Sequence, residues 1–283
     1  MTALILPAAV ATVALLYASV GHAGATGYIA VMGLAGLRPE VIRPTALVLN
    51  LVVAAIGSVQ FARAGHVRRD LLLPLAAASV PAAAIGGGLT LPTAAFEAAL
   101  GLVLAFSAVR LGFGPPSGGG PGAVPAGRLG DEDPPPRPRL AIPALAAIGA
   151  GLGLASGLTG VGGGVFLTPL LLTLGVASTR QVAAVSVVFI LVNSAAGLLG
   201  WLASGRNLAA IAPEVVAAAA AGGFAGSHLG AFRLPVRWLR LLMAIVLAVA
   251  SVKLLGAAAG PERRADPGGS PEPAQSRPAA AGS

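Results

Sequence analysis

The chain contains no cysteine, one lysine, two tryptophans and two tyrosines in 283 residues, and only 10% of its residues are charged. Each scarcity excludes something. Without cysteine there is no disulfide, no thiol nucleophile and no cysteine-ligated metal. A soluble domain carries about 25% charged residues, so this chain could not cover its own surface in water. The sequence shows no metal-ligand cluster, no phosphate loop and no nucleotide motif, so it calls for no cofactor and no ATP-driven step. The net charge of +8 would point to nucleic acid in a soluble protein. Here the basic residues are almost all arginines flanking apolar runs, with no interleaved aromatics, so they read as membrane topology instead.

What the chain has in abundance is apolar sequence: 56% hydrophobic residues and a mean hydropathy of +0.86. Apolar stretches run over 2–20, 27–37, 44–62, 71–91 and 94–111, then 140–156, 165–176, 181–203, 209–231 and 238–256. Most are long enough to span a hydrocarbon core of about 30 Å, which needs roughly 20 residues. They show no period of two, which argues against a barrel. The expected fold is therefore all-α, a polytopic integral membrane protein whose partner is the lipid bilayer. The first stretch lacks a basic leader and has an internal equivalent at 140–156, so it is expected to be a retained helix. Stretches 27–37 and 165–176 are short, and read as half-helices or as spans that draw in their flanks.

The expected organisation is a first membrane repeat over 1–111, a disordered Pro/Gly linker over 112–139, a second membrane repeat over 140–259 and a disordered tail over 260–283. The linker holds Pro115-Pro116, Gly118-Gly119-Gly120 and Asp131-Glu132-Asp133-Pro134-Pro135-Pro136, which cannot bury enough apolar surface to order itself.

Two glycine-rich breaks interrupt the apolar pattern. The first is Gly21-His22-Ala23-Gly24-Ala25-Thr26-Gly27 and the second Gly157-Leu158-Thr159-Gly160-Val161-Gly162-Gly163-Gly164. Downstream of each lies an apolar run with an asparagine. Asn50 and Asn193 are 143 positions apart, as are Gly57 and Gly200, which predicts an internal repeat. The basic side swaps between halves: Arg63, Arg68 and Arg69 mark one loop in the first half, Arg233, Arg237 and Arg240 a different one in the second. That swap is what two repeats of opposite orientation would show. Arg38 and Arg43 against Arg180 fit less well, and a four-plus-four parallel arrangement suits the same runs. Both versions place 63–70 and the linker inside the cell.

Paired interrupted segments are the best sequence pointer to a transporter's binding site. A break frees backbone N–H groups and exposes a helix N-terminus, which receives anions. The competing reading is that the glycines only let helices pack closely, and that reading is preferred for Gly86-Gly87-Gly88 and Gly222-Gly223. Asn50 and Asn193 either bond neighbouring helices or flank a substrate, one from each half. Thr26, Thr45, Thr159 and Ser186 either donate to oxyanion oxygens or bond their own helix carbonyls. His22 is placed to carry a coupling proton, and a side chain at Gly163 is expected to occupy the anion's volume. Glu97 and Glu214 suit helix starts, and Trp201 and Trp238 read as interfacial anchors. Arg43 and Arg180 either attract anions at a mouth or simply mark topology.

The order of Val20-Gly21-His22-Ala23-Gly24-Ala25-Thr26-Gly27-Tyr28, Arg43-Pro44-Thr45-Ala46-Leu47-Val48-Leu49-Asn50 and Ala64-Gly65-His66-Val67 resembles the TauE/SafE family of sulfite exporters, the TSUP superfamily. So does Gly160-Val161-Gly162-Gly163-Gly164 followed by Asn193-Ser194-Ala195-Ala196-Gly197-Leu198-Leu199-Gly200. The resemblance covers both membrane halves and excludes linker and tail. Ala23 and Ala25 interrupt the run of consecutive glycines commoner in the family. The resemblance implies a multi-pass protein of the cytoplasmic membrane, not an enzyme. It would be a secondary transporter of small sulfur oxyanions such as sulfite or organosulfonates, with protons as a candidate coupling ion. The substrate-binding set it implies, together with the breaks, is His22, Gly24, Thr26, Gly27, Thr45, Asn50, Thr159, Gly162, Gly163, Gly164, Ser186 and Asn193. A homo-oligomer is compatible with this reading. Two other classes are weighed: a non-transporting membrane scaffold, and an intramembrane serine protease using Ser156 and His228, which needs the two within hydrogen-bond reach.

Overall fold

The computed structural model describes residues 2–37, 39–89, 105, 109, 140–208 and 210–259. The expected linker, the tail, Glu97 and most of the stretch 94–111 lie outside the described residues. Every described element is helical: α1 Thr2–Ser19, α2 Ala25–Leu34, α3 Pro39–Arg63, α4 Arg69–Gly88, α5 Ile142–Thr159, α6 Gly164–Leu174, α7 Thr179–Ala203, α8 Pro213–His228 and α9 Val236–Ala259. A π-helical turn, Leu229–Arg233, continues α8. Five described segments are long and apolar enough to cross a membrane: Val41–Arg63, Arg69–Gly88, Ile142–Thr159, Thr179–Ala203 and Pro213–Arg233.

The helix boundaries follow from local chemistry. α7 opens on a capping box, with Ser178 Oγ accepting from the Gln181 N–H at 3.3 Å and Gln181 Oε1 accepting from the Ser178 N–H at 3.1 Å. α6 ends at Gly175 in the left-handed region, φ 62°, a conformation that only glycine adopts freely. α2 and α6 have 10 and 11 residues. At 1.5 Å per residue they reach about half of a hydrocarbon core, so the two short stretches are half-helices.

Glycine lets two helix pairs approach backbone to backbone. Gly149, Gly153 and Gly157 of α5 lie against Leu75, Ser79 and Ala83 of α4, and a Cβ on any of them would collide with the facing carbonyl. Gly222 and Gly226 of α8, with Gly230 beyond its end, lie in the same way against Ala11, Leu15 and Ser19 of α1. In both pairs the partners advance together by four, so each pair is parallel. This is the small-residue packing that drives helix association where the hydrophobic effect is absent. Gly86, Gly87 and Gly222 serve such packing, against α5, α7 and α1 respectively.

α3 and α7 form the middle of the bundle. Asn50 meets Ser194, and the Gly57 Cα side faces Val187. One sequence rises while the other falls, so α3 and α7 are antiparallel. α3 runs parallel to α8, since Gly223 faces Val53 and Gly57 faces Ser227. The pairing is reciprocal: the first helix of each half packs on the fourth helix of the other.

The spacing of 143 read from the sequence is corrected by the chain's turns. Left-handed glycines recur as Gly24 and Gly163, Gly36 and Gly175, which are 139 apart, and Gly65 and Gly205, which are 140 apart. α3 and α7 each have 25 residues, starting at Pro39 and Thr179. In that register Asn50 corresponds to Ile190, and Asn193 to Val53. The two asparagines are therefore not equivalent positions.

Candidate functional site

The two breaks meet. In the first, Gly21 has φ 78° and Gly24 has φ 107°, and α2 starts at Ala25 with no side-chain cap. Tyr28 fixes the loop by donating its hydroxyl to the Ala23 carbonyl at 2.6 Å. In the second, Gly160, Gly162 and Gly163 have φ 74°, 81° and 75°, and α6 starts at Gly164, again without a side-chain cap. The contacts are reciprocal here too: a Cβ on Gly21 would strike the backbone of Ala183 in α7, and one on Gly160 would sit 2.8 Å from Arg43 Cγ in α3. In the 139–140 register these are equivalent pairs.

His22 joins the halves. Its Nε2 lies 3.2 Å from the Gly164 carbonyl. A carbonyl only accepts, so Nε2 carries the proton and Nδ1 is a lone-pair nitrogen. Nδ1 is buried and has no partner. His22 also borders a cavity of about 10 Å³, with Tyr17, Ala23, Gly24, Ala25, Thr26, Val161, Val165 and Ile190 as the rest of its lining. That is room for about one water molecule. The first turn of α2 and the first turn of α6 thus border one buried void, whose lining contains no acid. Uncapped helix starts leave up to four N–H groups without a helical partner and carry partial positive charge. Thr26 Oγ1 donates to the Tyr17 hydroxyl at 3.0 Å.

Asn50 supports the second break from α3. It is fully buried, its Nδ2 faces the Val161 carbonyl at 3.5 Å and Ser194 Oγ at 3.4 Å, and its Oδ1 has no partner. A Cβ on Gly162 would lie 2.9 Å from Asn50 Nδ2 and 3.0 Å from Ser194 Oγ. His22, Gly24, Thr26, Asn50, Gly162 and Gly164 are therefore gathered around the meeting of the breaks.

The other expected residues are placed differently. Thr159 donates to its own helix at Ala155 O, 2.8 Å. Ser186 shares a 2.8 Å hydrogen bond with Thr168. Asn193 Nδ2 bonds Phe189 O one turn back at 2.8 Å, its Oδ1 buried and unpartnered. Thr45 is buried in α3. Gly27 faces Val13 and Tyr17. At Gly163 a Cβ would meet Phe189 Cε1 at 2.9 Å and Ser156 Cβ at 3.1 Å. In this conformation the space beside Gly163 is filled by these side chains. Tyr17, Ser194 and Ile190 were missed. Ser194 adjoins Asn193 in sequence, and the 140 spacing would have pointed to Ile190.

Ser156 and His228 are not brought together. Ser156 Oγ is buried in α5 with no hydrogen-bond partner. His228 is at the end of α8, exposed, with ring centroids of Phe224 and Phe232 at 6.4 and 5.2 Å. Trp201, expected at an interface, is 7% exposed and lies under two guanidiniums. Arg180 donates to Leu234 O at 3.0 Å.

Comparison with known proteins assigns the sequence to a family. Residues 6–254 match the family model described as Sulfite exporter TauE/SafE. The chain is 40% identical over 243 residues to the "Probable membrane transporter protein y4hK" of Sinorhizobium fredii, covering 86% of this chain and 94% of that protein. No solved structure matches. With nearly the whole chain matched and its apolar helices interrupted at paired breaks, the protein belongs to the TauE/SafE family of multi-pass membrane transporters, not enzymes.

Proposed function

We propose that the chain is a secondary transporter that moves small sulfur oxyanions, such as sulfite or organosulfonates, across the cytoplasmic membrane, binding them where the two breaks meet. One observation carries this reading: the uncapped first turns of α2 and α6 border the same buried, acid-free cavity. Backbone N–H groups at such ends are ready-made anion donors. Irregular backbone at membrane depth is tolerated where it is enclosed by protein or lines a cavity. The matched family's description supplies the sulfur anion. A cavity of about 10 Å³ is too small for such an anion. In this reading the site widens when the two halves move relative to each other, as in alternating access. His22 is the candidate for proton coupling. Protonation at Nδ1 would turn its unpartnered acceptor into an N–H donor facing the anion, and Tyr17 is the other titratable group lining the cavity. The roles of His22, Gly24, Thr26, Asn50, Gly162 and Gly164 are part of this proposal.

The test is uptake into proteoliposomes of sulfite, sulfoacetate, taurine, thiosulfate and sulfate, with and without a pH gradient. Uptake of at least one sulfur anion that falls sharply in His22→Gln and Asn50→Ala is expected. If none is moved by a correctly inserted protein, the substrate class is wrong. A non-transporting scaffold instead predicts that these alanine and glutamine substitutions are silent.

A further inference from the structure

A second cationic feature lies against the second break. Arg43, near the start of α3, runs its aliphatic stem over Gly160 of the second break. Its Nη2 donates to the Gly157 carbonyl, and to the Gly86 carbonyl at 3.3 Å. Its Nε is buried without a partner. The guanidinium carbon is 5.2 Å from the centroid of the Trp201 ring. Arg206, from the loop after α7, lies 4.5 Å from the same ring and donates to the Gly88 carbonyl at 3.3 Å. Because α3 and α7 are antiparallel, the start of α3 and the end of α7 share one face of the bundle. The end of α4 joins them through Gly88.

Two guanidiniums held against one indole repel each other. Cation–π contact and backbone carbonyls offset part of that cost, but a carbonyl carries no countercharge. Among the described residues neither arginine has an ion-pair partner, and the ion pair found there is Arg68–Asp70 at 2.5 Å. A guanidinium offers five donors in a planar fork that matches two oxygens of one oxyanion. The bonds to Gly157, Gly86 and Gly88 use only part of that capacity, and Arg43 Nε is left over inside the protein.

We propose that Arg43 and Arg206, around Trp201, form a second oxyanion site, a station through which the transported anion passes between solution and the second break. This rests on the anion-transport reading and adds to it a place and a chemistry. Arg206 is the outer contact, half-buried in its loop. Arg43 is the inner one, joining the station to Gly160.

The chain's two tryptophans make the test direct. Trp238 is exposed, and a Trp238→Phe background leaves Trp201 as the sole indole. Purified protein in that background is titrated with sulfate, sulfite and chloride at constant ionic strength, reading indole emission. A saturable change is expected with the two sulfur oxyanions and a weaker one with chloride. Arg206→Gln should weaken apparent binding by about tenfold or more, the scale of one charge-assisted hydrogen bond, and Arg206→Lys by less. In proteoliposomes Arg206→Gln should raise KM for the moved anion and change the maximal rate much less, a split that a purely structural role would not give. Arg206 sits in a loop, so the test survives if Arg43→Gln fails to fold. A Trp201 emission that no oxyanion perturbs, or the same titration in Arg206→Gln as in the parent, overturns the station. Transport with a silent Trp201 would remove the station and leave the transporter reading intact. A Trp201 response in a protein that moves none of the five compounds would leave an oxyanion site at Trp201 but overturn both the transporter reading and the station built on it.

Discussion

Single residues decide whether the breaks can exist. Gly162 has φ 81° and Gly163 φ 75°, and both face filled space. Alanine at either is expected to cost about 1–3 kcal/mol in backbone strain, with further loss from the crowding of Asn50 and Ser194 or of Phe189. Thermal unfolding in detergent should show both variants less stable than wild type. Gly151→Ala is the control. It lies inside α5 with nothing within 4 Å of its Cβ position, so alanine should be neutral or stabilise by up to about 1 kcal/mol. If Gly162→Ala and Gly151→Ala melt alike, the strain argument for the second break is wrong. Asn50→Ala removes a fully buried amide that faces Val161 and Ser194. Leaving those groups unpaired should cost about 1–3 kcal/mol, read in the same melts. Asn193→Ala should cost less, because its described bond is to its own helix.

At the scale of the element, the parallel pairs α1–α8 and α4–α5 are the frame on which the breaks are held. α1 runs directly into the first break and α5 into the second. Both pairs rely on glycines spaced by four, at 149, 153 and 157 and at 222, 226 and 230. In lipid, close backbone approach replaces the hydrophobic effect as the source of helix association. Gly153→Leu and Gly226→Leu should therefore both prevent a stable fold, seen as aggregated or degraded protein on size-exclusion chromatography. Leucine at Gly36, whose Cβ position is open but whose φ is 76°, should cost only strain and leave the protein monodisperse. Equal damage at all three sites would mean that backbone conformation, not helix approach, sets the requirement.

For the whole molecule, antiparallel α3 and α7 are the relation expected of repeats inserted in opposite orientation. Cysteines at Ala64 and Ser204, just after α3 and α7, should then label from opposite sides with an impermeant thiol reagent. The native chain has no cysteine, so the assay has no background. Labelling from one side would favour the parallel arrangement. A cysteine at Ser117 should be shielded in intact cells, because Arg110, Arg128, Arg137 and Arg139 flank or occupy that segment and basic segments stay cytoplasmic. Ready labelling from outside would reverse the orientation.

Much of this protein is a direct consequence of its composition and spacing. Scarce charge and long apolar runs force backbone hydrogen bonds inward, and helices satisfy them within each segment. The glycine sentences at 21–27 and 157–164 mark the breaks because no other residue adopts their left-handed turns freely. Arginines at the ends of apolar runs set the sidedness argument. Sequence spacing misled where it compared residue letters rather than turns: Asn50 and Asn193 look equivalent, while Gly65 and Gly205 define the register. Which groups meet was decided by the packed bundle. That His22 reaches Gly164, that Asn50 supports Val161 and Gly162, and that Arg43 and Arg206 share Trp201 all depend on helices far apart in sequence. Their approach is set by glycines whose missing side chains leave room for a neighbour's backbone. Local pattern fixes where a membrane chain bends, but only close packing between distant segments fixes what each bend touches.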